Sequence, residues 1–125
     1  MKYKMLNSNF YKFISFLLMI FIYKRSLIYF IKNNNIKVCL CTIGKLENNY
    51  ILDFIKFYKK YGVEKIFLYD NNDVNGEKFE EVISEYIKIN YVKMFNYRGK
   101  TKVQLFAYDH CYKLNNKKYD WLFFF

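Results

Sequence analysis

The chain has 125 residues, 54% of them hydrophobic, and a formal net charge of +10, which provides for one domain and no more. All eleven acids lie beyond residue 46, whereas the first 46 residues carry eight Lys or Arg and no acid, so thirteen bases face eleven acids in the rest. A basic excess confined to one end excludes a uniform phosphate-binding surface, and nucleic acid is not an expected partner.

Fourteen Tyr, fourteen Phe, a single Ala (Ala107) and no Pro read as A/T-biased coding, which removes aromatic abundance as a sign of base or sugar stacking. Cys39 and Cys41 share one face of a strand and Cys111 stands apart. An odd number of cysteines without scaffold spacing predicts reduced thiols in a reducing compartment. His110 beside Cys111 invites zinc, but adjacent helical residues point to different faces and no C-x-x-C is present, so no metal site is expected within the chain.

Residues 1–35 form a basic and apolar arm. Its run "FISFLLMIFIY", Phe13 to Tyr23, is eleven residues long, short of the ~20 needed to cross a bilayer as a helix. No small-residue cleavage site follows it, so the run predicts an uncleaved anchor or an interfacial helix at a membrane. Three bases precede the run and five follow before the first acid, which tilts the folded part toward the cytoplasmic side.

Residues 36–125 alternate between two periods. "IKVCLCTI", Ile36 to Ile43, is a nearly all-apolar strand, and Ile51, Phe54, Ile55 and Tyr58 make one helical stripe that starts near Asn48 or Asn49 and stops at Gly62. "KIFLY" is a second strand, and Phe79, Val82, Ile83, Tyr86 and Ile87 form the next helical stripe. "YVKMF" is a third strand. Thr101 then caps a helix with Val103, Phe106, Ala107, His110 and Leu114 inward, and "DWLFFF" is a fourth strand. The βαβαβαβ order predicts an α/β fold with a parallel, Rossmann-like half-sheet.

In such sheets ligands bind beyond the C-terminal ends of the strands. The lone glycine in "TIGKLENN" supplies neither the G-x-G-x-x-G nor the P-loop pattern, which argues against both nucleotide-binding classes. What the strand ends offer is Thr42, Lys45, Glu47 and Asp70. Lys45 can face a phosphate, and Glu47 can favour a helix dipole. Asp70 can accept hydrogen bonds from a ribose or base, or satisfy backbone amides as an Asx turn. Arg98 and Lys100 read either as diphosphate partners or as solvated loop charges.

Taken together, "VCLCTIGKLENNYILDFIKFYKKYGVEKIFLYDNND", "VQLFAYDHCY" and "YDWLFFF" resemble the start of glycosyltransferase domains of the family 92 type, which are related to the family 2 group. Glu47, Tyr50, Leu52, Gly62-Val63, Tyr69-Asp70-Asn71, Gln104, Cys111 and Trp121 carry the resemblance. Asp53-Phe54 and Asp73 depart from it, where Glu-Trp and Ser are common. The resemblance implies a GT-A-type fold and a nucleotide-sugar donor over the first two strands, with Asp70, Thr42, Lys45 and Glu47 as donor-site residues. The acceptor it implies is a glycan or a lipid-linked molecule. It also implies an Asp-x-Asp-like motif holding Mn²⁺ or Mg²⁺ directly after Phe125, which makes the chain the N-terminal half of an enzyme, inactive alone. The alternative is a non-catalytic, membrane-associated α/β binding module.

Overall fold

The computed structural model describes Arg25 and residues 35–125. The anchor helix expected in the arm lies outside the described residues; among those described, no helix is long and apolar enough to cross a membrane.

The element order is β1 (Val38–Gly44), α1 (Ile51–Lys60), β2 (Lys65–Asp70), α2 (Phe79–Lys88), β3 (Val92–Asn96), α3 (Gln104–Asn115) and β4 (Trp121–Phe124). The four strands form one all-parallel sheet in the order β3-β2-β1-β4. The chain steps outward from β1 to β3, then returns to the other side of β1. That reversal is the switch point at which α/β sheets open a crevice.

β1 lies between two neighbours and is covered on both faces, which is why Val38 to Cys41 read as one apolar run and are buried. Successive side chains alternate between the faces. Cys39, Cys41, Phe67 and Tyr69 pack with Ala107 and Cys111 of α3. The alternate residues Leu40, Ile66 and Leu68 serve the other face of the sheet, and α1 and α2, which pack together, bury Ile51, Ile55, Phe79 and Ile83.

Both outer helices end in the same way. Gly62 sits at φ 89°, with its N–H bonded to Lys59 O and that of Val63 to Tyr58 O. Asn90 sits at φ 59°, with the matching bonds to Ile87 O and from Tyr91 to Tyr86 O. These are Schellman closures, and Gly and Asn are the residues that adopt the left-handed turn most readily.

Three expectations need correction. α3 begins at Gln104 with Val103 as its cap and no side-chain capping bond, so Thr101 does not cap it. The stripe it buries is Ala107, Cys111 and Asn115, while Phe106 stays 69% exposed. On that buried face Cys41 and Cys111 form a disulfide, Cα atoms 6.2 Å apart and 70 residues apart in sequence, which holds the Cys111 face of the helix on β1. The cysteines are therefore not all reduced. Spacing in sequence could not pair a strand residue with a helix residue that far away.

Cys39 remains a buried free thiol, its pKa pushed up to about 12 by burial and then by Glu64. Peptide mapping without reductant is expected to recover Cys41 linked to Cys111, with Cys39 resisting alkylation at pH 8 until the chain unfolds. Reduction should lower stability by about 2–4 kcal/mol. Rapid modification of Cys41 and Cys111 in the unreduced folded protein would refute the pairing.

Candidate functional site

At the C-terminal end of β1 the chain runs from Thr42 into the loop before α1. Thr42, Ile43, Gly44, Lys45, Glu47, Tyr50, Ile51, Phe54 and Leu68 enclose a cavity of about 290 Å³. Three of the four expected site residues, Thr42, Lys45 and Glu47, thus share one cavity. Its lining mixes the apolar Ile43, Ile51, Phe54 and Leu68 with the charged Lys45 and Glu47. Gly44 keeps the floor close-packed, since a Cβ there would stand 3.2 Å from the Phe79 ring.

Lys45 is half exposed and pairs with the exposed Asp73 at 2.8 Å. The Glu47 carbonyl oxygen accepts the N–H groups of Tyr50 and Ile51 at 2.9 and 2.8 Å, which starts the hydrogen-bond ladder into α1. Its side chain borders the cavity before the helix proper begins. Between Lys45 and Glu47, Leu46 adopts φ 59°. A left-handed conformation costs a non-glycine residue about 1–2 kcal/mol, so something must hold it.

Asn72 holds it. Its side-chain Oδ1 accepts the Leu46 N–H at 2.7 Å, and its Nδ2 donates to Asp70 Oδ1 at 2.8 Å. Asp70 Oδ1 also accepts the Asn72 N–H at 2.9 Å, the Asx-turn bond foreseen for this residue. Asp70 Oδ2 accepts from Arg98 Nη1 at 3.0 Å. Asp70 is 1% exposed and does not border the cavity; it lies beneath the loop and fixes it through Asn72.

Arg98 is neither a solvated loop charge nor a group facing the cavity. Its Nη2 donates to the carbonyl oxygens of Asp73, Gly76 and Glu77 at 3.0, 3.0 and 2.8 Å. One guanidinium therefore ties the end of β3 to the whole turn after β2, using the several fixed donors only Arg provides. Lys100 instead lies over the Tyr97 ring, 4.6 Å from its centre. Asn71 joins the same layer, donating through Nδ2 to Tyr97 O and Lys100 O.

Asn72 is the residue that sequence reasoning did not assign, and Arg98 takes a structural role that neither of its two sequence readings gave it. The only sequence signal was the "NND" run after a strand, which is equally the mark of an ordinary turn. Among the described residues, no group of three or more His, Cys, Asp or Glu could hold a metal ion.

Residues 34–125 match the family model described as Glycosyltransferase family 92. No curated protein and no solved structure matches the chain.

The two ion pairs at this end of the sheet should differ in weight. Arg98→Ala leaves Asp70 buried and unpaired and is expected to lower stability by about 3–5 kcal/mol. Asp73→Ala removes an exposed pair and should change it by no more than about 1 kcal/mol. Urea unfolding of both variants decides this, and equal losses would refute the structural role given to Arg98.

Proposed function

The chain belongs to glycosyltransferase family 92, and on that premise we propose that the cavity at the end of β1 receives a nucleotide-sugar donor for transfer to a glycan or lipid-linked acceptor. The observation that carries this reading is the gathering of Thr42, Lys45 and Glu47 around one cavity at the strand end beside the switch point. A GT-A-type architecture is part of the same proposal.

In this reading the Lys45 ammonium meets the donor diphosphate. Its present partner, Asp73, is exposed, and an exposed pair is worth at most about 1 kcal/mol, so phosphate displaces it at little cost. Glu47 accepts a hydroxyl of the ribose or sugar, and the Thr42 hydroxyl adds a short donor at the floor. Tyr50 and Phe54 supply apolar surface against which a flat ring can rest. Asp70, the fourth donor-site residue of the proposal, acts on the nucleoside side by holding the loop through Asn72. The divalent cation of the reading, Mn²⁺ or Mg²⁺, finds no ligand set among the described residues, and no role above depends on it.

Membrane association through the arm belongs to the proposal as well. The charge bias around the apolar run tilts the folded unit toward the cytoplasm by only two residues. The Cys41–Cys111 disulfide weighs the other way, since disulfides persist in oxidising compartments, and we assign the folded unit to that side.

Calorimetric titration of the full chain with a panel of nucleoside diphosphate sugars tests the donor site. Lys45→Ala should weaken binding about tenfold, whereas Asp73→Ala should leave it unchanged or tighten it by removing the competing carboxylate. Absence of binding to every donor, or affinity indifferent to Lys45, would overturn the assignment.

A further inference from the structure

The opposite end of the sheet carries a second polar cavity that the donor reading does not use. It measures about 220 Å³ and is lined by Lys65, Phe67, Lys93, Leu114, Asn115, Lys118 and Tyr119. Lys65 opens β2 and Lys93 lies near the start of β3, while Lys118 and Tyr119 precede β4. Lysines from three separate segments of the chain thus line one hollow.

Among the described residues, no ion pair neutralises them. The ion pairs among the described residues join Lys45 to Asp73, Arg98 to Asp70 and Lys113 to Asp109, and none involves these lysines. Lys65 donates to the neutral Asn90 Oδ1 at 2.7 Å, and it and Lys93 lie over the rings of Phe67 and Phe95 at 6.0 and 5.6 Å. The last turn of α3 ends at Asn115 in the same wall. Its dipole offsets roughly half an elementary charge, far less than three. Burial, then Lys93 and Lys118, hold the Lys65 pKa below its usual value.

A neutral donor completes the wall. The Tyr119 phenol is protonated at neutral pH in any case, and burial, with smaller contributions from Cys39 and Glu64, pushes it up to about 12. Phe67 packs edge-on to that ring at 6.0 Å and fixes it. Glu64 is the acid that acts on this corner, and it leaves the cluster net positive.

We propose that the cavity formed by Lys65, Lys93, Lys118 and Tyr119 is a binding site for a phosphate monoester, at the end of the sheet remote from the donor cavity. A phosphomonoester carries about −1.5 to −2 charges at neutral pH, close to what the three lysines leave unbalanced, and it accepts from several donors at once. The group can belong to a lipid headgroup or to a soluble phosphate.

The test uses the full chain and two probes, inorganic phosphate by calorimetry and co-sedimentation with phosphatidic acid vesicles against phosphatidylcholine vesicles. Lys93→Gln with Lys118→Gln should weaken binding about tenfold or more. Lys56→Gln with Lys60→Gln removes the same charge from exposed positions on α1 and should not. A lysine-dependent preference for phosphatidic acid identifies a lipid headgroup; lysine-dependent binding of inorganic phosphate alone identifies a soluble one. Failure of both probes, or equal losses in the two double variants, would overturn the site.

Discussion

Arg98 brings a guanidinium into a space that is almost closed to water and meets Asp70 there at 3.0 Å, with side-chain exposures of 12% and 1%. Either charge alone would be costly in that position. Together they commit the turn after β2, because the second terminal nitrogen of the guanidinium, Nη2, is spent on three of its carbonyl oxygens. Asp70 in turn orients Asn72, and Asn72 holds Leu46 in a conformation that leucine avoids. The rim of the cavity at the end of β1 is therefore shaped by residues that do not border it, through one ion pair.

Around that pair the sheet is organised by β1. It occupies the position between β2 and β4 at which the chain reverses direction across the sheet, and its end opens the cavity. One face is locked to α3 by the Cys41–Cys111 disulfide, whose closure of a long loop restricts the unfolded chain. The other is closed by Phe79, Ile83 and Ile55 from the paired helices. The two ends of the sheet differ in electrostatics: the C-terminal end holds the Lys45–Asp73 and Arg98–Asp70 pairs, while at the N-terminal end no ion pair among the described residues involves Lys65, Lys93 or Lys118. β4, at the edge, leaves Trp121 and Phe123 at 60% and 43% exposure.

Much of this was legible in the sequence. The switch between short, nearly all-apolar runs and a 3.6-residue period determined four strands and three helices in the right order, because a strand covered on both faces and a helix buried along one stripe impose those patterns on the residues themselves. Gly62 marked the end of a helix for a local reason, the left-handed turn it permits. Thr42, Lys45 and Glu47 could be named because strand ends in a parallel sheet all face one crevice. What only the tertiary structure decided were the long-range pairings: Cys41 with Cys111, Arg98 with Asp70, Asn72 with Leu46, and Lys65 with Lys93 and Lys118. Each joins residues on separate elements, and periodicity reports only which face a residue occupies, never which distant residue it meets there.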